Sequence, residues 1–325
     1  MTFPFDTSEQ LIFEFEQLLK RNGLVVQANT DLERISFAIL ENNAKHKKEI
    51  VHNDQTDIRD IFSDVAGLID FVSQIVKHQS HKDFSKLVPH LQLLNTSSTS
   101  VLTTKSKVTD EGNNKLFELY IALLCMGFSE NVDLDDPKNS KGDNPDIIFD
   151  YKGEKWAIAC KAMHSDKEKT LYDTIVKGTD QINRSIATKG IVAVNLKNII
   201  DRNEIWPITN QEDVVKGDDP LFGCFSTIEA PLNILQKYGT NFQEKLIEAI
   251  GVDSLKKLAD TKKCPAGFLI FLQAVTSVMH QGNCPATILK TFNLVELDNV
   301  DTCFKELGND LNLSMHNRRQ GENRS

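Results

Sequence analysis

Two apolar runs on either side of a Lys152-Gly153 turn do most to limit what this chain can fold into. Asn144-Pro145-Asp146-Ile147-Ile148-Phe149 leads toward the turn, and Ala157-Ile158-Ala159-Cys160-Lys161 leads away from it. Short β-branched and aromatic runs joined by such a turn read as a β-hairpin. Antiparallel pairing brings Asp146, at the start of one strand, and Lys161, at the end of the other, to one edge of a sheet. Residues 113–127 read as an amphipathic helix that stops at glycine, residues 171–185 as a second helix, and residues 190–196 as a further apolar strand. The order helix, strand, strand, helix, strand predicts a mixed α/β sheet. Residues 267–276 read as another buried strand of the same sheet, after a helical stretch over 231–258 in two pieces around Gly239-Thr240 and Gly251.

The first hundred residues differ in character. Leu11, Phe13, Phe15, Leu18 and Leu19 mark one helix, and Ile35, Phe37, Ile39 and Leu40 mark a second, opened by Asp31. A longer run over 56–78 carries Ile58, Ile61, Phe62, Val65, Leu68, Ile69, Val72, Ile75 and Val76 at helical spacing, and a fourth helix, 84–94, contains Pro89. The serine- and threonine-rich stretch that follows predicts a linker. The expected organisation is a helical interaction domain over 1–95, a linker over 96–110, an α/β domain over 111–312 and a polar tail over 313–325.

With 325 residues, 40% apolar and 26% charged, the chain can bury a sizeable core. A net charge of -9 argues against a protein that coats nucleic acid non-specifically, although basic groups lining a single groove would suffice for a local site. The start of the chain lacks a signal-peptide pattern, and its most apolar late run, 267–278, is too short and too polar to span a bilayer. Six cysteines without a Cys-x-x-Cys pair read as reduced thiols. These features predict a cytoplasmic protein with no membrane partner. Neither a phosphate-binding Gly-x-x-x-x-Gly-Lys loop nor a Gly-x-Ser-x-Gly elbow is present, which argues against an NTPase or an esterase. His280, Cys284 and Cys264 lack the paired spacing of a zinc site, and His46, His52, His78, His81 and His90 read as surface residues.

A carboxylate able to hold a divalent metal, with a lysine beside it, is the core of a site that cleaves phosphodiesters. Glu118 on a helix, Pro145-Asp146 on one strand, Lys161 on the next and Gln181 on a following helix resemble, in order and context, the PD-(D/E)xK superfamily of nucleases over about residues 112–196. The resemblance implies a restriction-endonuclease-like mixed sheet flanked by helices, preceded here by the all-helical N-terminal region. It implies that Asp146 and Glu118 ligate Mg²⁺ or Mn²⁺ and that the backbone carbonyl of Cys160 completes the metal shell. Lys161 would activate water and steady the phosphate, and Gln181 would contact phosphate or position Lys161. Lys177, Gln181 and Arg184 share a helical face that would touch a nucleic-acid backbone.

One position departs from the pattern. Ala159 stands where the superfamily carries its second acid, two residues before the lysine. Asp150 and Glu154 are the nearby acids that could migrate into that role, Asp150 lying about 13 Å from Asp146 by strand rise. The expected function is a metal-dependent endonuclease acting on DNA rather than RNA, with a role in prokaryotic host defence or DNA processing. A protein partner or a second copy would dock through the N-terminal helices. The alternatives are a nuclease-like fold that binds nucleic acid or a protein partner without cutting, and a helical adaptor whose α/β domain is structural.

Overall fold

The computed structural model describes residues 5–46, 59–96, 111–138, 143–163, 165, 167–207, 214–216, 223–259, 263, 267–296 and 302–316. The expected hairpin is present: β2 (Ile147–Tyr151) pairs antiparallel with β3 (Glu154–Ala162), Ile147 opposite Ile158. Lys152 and Gly153 both adopt positive φ, 52° and 80°, the left-handed pair that matches strand twist in a tight hairpin. The short β1 (Val132–Leu134) flanks β2. β3 then runs parallel to β4 (Lys189–Asn195), β4 parallel to β7 (Gly267–Ser277), and β7 antiparallel to β8 (Ala286–Glu296), giving a mixed sheet in the order β1-β2-β3-β4-β7-β8. β5 (Val214–Lys216) and β6 (Gly223–Phe225) form a separate ribbon.

Strand alternation divides the core into two layers. Trp156, Ile158, Cys160, Ile191, Ala193, Leu269 and Phe271 face the layer of α3 (Arg59–Lys77), α5 (Glu111–Cys125) and α10 (Thr302–His316), on which α1 (Phe5–Arg21), α2 (Asp31–His46) and α4 (Val88–Leu93) pack. Ala157, Ala159, Val192, Val194, Phe268 and Ile270 face α6 (Glu168–Arg184), the short α7 (Arg202–Ile205), α8 (Glu229–Ile250) and α9 (Val252–Ala259). Helix α6 approaches the sheet closely at Gly178, where a Cβ would lie 2.9 Å from Val192 and 3.5 Å from that of Ala159.

The helices of the N-terminal region share a continuous core with the sheet rather than packing only on one another: Phe15, Ile35 and Val72 belong to the same buried cluster as Phe149 and Phe271. The expected linker falls almost entirely on residues outside those described. Because α3, α4 and α10 cover it, α5 is buried on every side, with Leu116 to Cys125 all buried, and is not the amphipathic surface helix its pattern suggested. A buried polar network ties the layer together. The Lys290 ammonium on β8 donates to Asp70 on α3 and, at 3.1 Å, to the Tyr120 hydroxyl on α5, which in turn donates to Asp70 at 3.3 Å.

Several elements differ from expectation. Helix α8 continues through Gly239, whose missing side chain admits Leu272 and Asn293, and the break falls at Gly251, with φ of 80°. Helix α10 runs to His316 and buries Ser314 and Met315, so residues 313–316 belong to the fold and only 317–325 of the expected tail lie outside the described residues. His78 and His90 are buried rather than on the surface, while His46 and His52 are not among the residues whose side chains are described. Among the described residues no helix is long and apolar enough to cross a membrane.

Candidate active site

Four elements converge where β2 begins and β3 ends. Asp146 immediately precedes β2, and its Oδ2 accepts the Cys160 backbone N–H of β3 at 2.6 Å. Lys161 is the next residue of β3. Its ammonium donates to Gln181 Oε1 on α6 at 2.6 Å and to the Cys160 carbonyl at 3.0 Å, and lies 3.6 Å from Asp146 Oδ2. Helix α5 brings Glu118 from the opposite face of the sheet, together with Lys115 one turn earlier. The Lys115 ammonium donates to Glu118 Oε2 at 2.9 Å and lies 3.9 Å from Asp146 Oδ1. All four residues that the sequence nominates for catalysis therefore belong to one cluster.

Burial dominates its electrostatics. Asp146 and Glu118 are about 5% and 4% exposed, so desolvation resists their ionisation. It raises the Asp146 carboxyl to about 7, with the Glu118 charge pushing the same way and Lys161, Lys115 and the Cys160 N–H opposing. Burial also raises Glu118, against the pull of Lys115 and a hydrogen bond with Asp146. The carboxylates form a coupled pair that retains protons to higher pH than isolated acids would. Although burial alone would lower it, Lys115 is held above its ordinary value by Glu118 and Asp146. His90 on α4 is fully buried with Nε2 3.6 Å from Glu118 Oε2. Burial, reinforced by the Lys115 charge, lowers it to about 4, so it is neutral at pH 7.

The donor set suits a hard cation. Glu118, Asp146 and the Cys160 carbonyl are oxygen donors, and Mg²⁺ often uses only one or two protein carboxylates. The Lys115 ammonium lies between the two carboxylates, 2.9 Å from Glu118 Oε2 and 3.9 Å from Asp146 Oδ1. Among the described residues no group of three or more His, Cys, Asp or Glu side chains has the arrangement of a metal site, so any metal here would rely on this pair with backbone and solvent oxygens.

The remaining nominated residues separate. Gln181 is buried and turned toward Lys161, whereas Lys177 and Arg184 are exposed, so the three do not make one solvent-facing row. Arg184 lies 4.0 Å from Asp143. Ala159 is fully buried, packed beneath Gly178 of α6, and an acid there would enter an apolar layer. Neither substitute acid takes its place. Asp150 accepts hydrogen bonds from Asn131 at 2.6 Å and Lys155 at 3.0 Å, and Glu154 sits by Thr188 and Lys189 at the turn end of the hairpin. Sequence reasoning missed Lys115 and His90. The spacing of Lys115 to Glu118 on one helix signals an ion pair, but nothing local marks His90.

No protein-family model, curated protein or solved structure matches this chain.

Proposed function

We propose that the chain is a metal-dependent nuclease of the restriction-endonuclease-like type, acting on DNA, with Glu118, Asp146, Lys161 and Gln181 as its working residues. One observation carries the reading: the Asp146 carboxylate is fixed against the Cys160 N–H, with the Lys161 ammonium 3.6 Å away, at the meeting point of α5, β2, β3 and α6. A partly protonated, desolvated carboxylate pair beside a lysine is costly to maintain, and such arrangements concentrate at functional sites. Glu118, Asp146 and the Cys160 carbonyl would hold Mg²⁺ or Mn²⁺, which when bound polarises a phosphoryl oxygen and lowers the pKa of bound water.

The chain's own residues orient the reaction. The Cys160 N–H fixes the rotamer of Asp146. Gln181 Oε1 and the Cys160 carbonyl hold the Lys161 ammonium at the cluster, where it can align an attacking water and balance charge developing on a phosphate. Exposed Lys177 on α6 supplies a cation for the backbone nearby. A second reading, a nuclease-like fold that binds without cutting, draws support from the burial of Ala159 against Gly178.

Incubation with supercoiled, linear and single-stranded DNA and with RNA, in Mg²⁺ or Mn²⁺, separates the two. The nuclease reading expects metal-dependent cutting of DNA that is lost in Asp146→Ala. Salt-sensitive binding with no cutting of any substrate would favour the second reading.

A further inference from the structure

The two lysines of the cluster are held differently. Lys161 is tied to Gln181 Oε1 and the Cys160 carbonyl as well as lying near Asp146. Lys115 is held through carboxylates, Glu118 at 2.9 Å and Asp146 at 3.9 Å, and 13% of its side chain reaches the surface from the early part of α5. Its ammonium therefore lies between the two oxygens that a divalent cation would use. Two ammoniums already balance the two carboxylates. Adding a dication while both remained would leave excess positive charge in a buried site, a cost that the ion-pair geometry could not offset.

We propose, building on the nuclease reading, that Lys115 is an internal counter-cation that must swing out of the Glu118–Asp146 pair before a divalent metal can enter. The flexible four-carbon stem of lysine and its position near the surface permit the exit, whereas the additional contacts of Lys161 keep that residue in place. Once displaced, the Lys115 ammonium faces solvent beside the site and is available to an incoming phosphate. Metal entry and the binding of a polyanion then favour one another, because each draws on the same movement.

Calorimetric titration of Mn²⁺ into the wild type, Lys115→Met, Lys115→Arg and Lys115→Met/Asp146→Asn tests this, with DNA cutting measured on the same samples. Lys115→Met should bind Mn²⁺ about tenfold or more tighter than the wild type, Lys115→Arg should stay weak, and the double variant should lose the gain. Equal or weaker binding by folded Lys115→Met, with metal-dependent cutting intact in the wild type, overturns the role of Lys115 and leaves the nuclease reading standing. Absence of both Mn²⁺ binding and cutting in every variant removes the two together. Should Lys115→Met fail to fold, acetylation of Lys115 in the wild type decides: several-fold faster labelling with Mn²⁺ supports the exit, and an unchanged rate overturns it.

Discussion

Helix α5 meets buried charge on two sides. Tyr120 joins Asp70 and Lys290 in a network with one acid, one ammonium and a hydroxyl between them, closed to solvent. Glu118, two residues earlier and on the other side of the helix, joins Asp146, Lys115 and Lys161, with both lysines partly exposed. In the first cluster each charged group answers another, and the network fastens α3 and α5 to β8. In the second, two lysines match two acids in number, yet the acids press on one another in a poorly solvated space, and burial raises Asp146 to about 7. Burial thus serves opposite ends. A satisfied pair holds the layers in register, whereas a frustrated pair stores a demand for a cation or a proton. The sign of a stability change on removing an acid should tell them apart.

The largest effect is expected at the satisfied cluster. Asp70→Ala strands the Lys290 ammonium in the core and should cost about 3–5 kcal/mol, read by chemical denaturation. Somewhat smaller is Ala159→Asp, which restores the acid of the nuclease pattern by placing it under Gly178. It should destabilise the fold by about 2–4 kcal/mol and fail to raise cutting, because the space belongs to α6. A gain in activity without loss of stability would show that α6 yields there.

Asp146→Asn should do the reverse of Asp70→Ala. The carboxyl titrates near 3.8 in the unfolded chain and at about 7 in the folded one, so the folded state holds an extra proton between those values. Stability from this group is therefore undiminished below about pH 4, falls as pH rises through the window, and is lowest above about pH 7. Asn keeps an acceptor for the Cys160 N–H without the charge. The variant should be more stable by about 1–3 kcal/mol at pH 8, with no difference at pH 4, in denaturation curves taken across that range. Destabilisation at pH 8 would mean that Asp146 is a satisfied partner like Asp70. The smallest effect is at Gln181. Gln181→Leu frees Lys161 from one anchor and should slow cutting about tenfold with KM little changed, while Gln181→Glu, which retains an acceptor, should recover most of the rate.

Much of this was legible in the residues. The hairpin could be read because a Lys-Gly turn sits between apolar runs, and Asp146 and Lys161 because they bracket it. The breadth of the helical layer was not, since the burial of α5 depends on α3, α4 and α10 covering it from distant parts of the chain. Strand β8 hid for a related reason: Lys290 and Asn293 face covered layers, which breaks the apolar alternation. Helix α10 carries a readable signal in Phe304, Leu307, Leu311 and Met315, all buried at helical spacing. Lys115 is apparent as a partner of Glu118 from spacing alone, but its place beside Asp146 exists only once α5 meets the start of β2.

The most direct test compares the rates at which wild-type and Lys161→Ala protein nick supercoiled DNA in Mg²⁺ or Mn²⁺, with thermal unfolding confirming that both are folded. The account predicts metal-dependent nicking by the wild type and a loss of about a hundredfold or more in the variant. Full activity in a folded Lys161→Ala protein would contradict it.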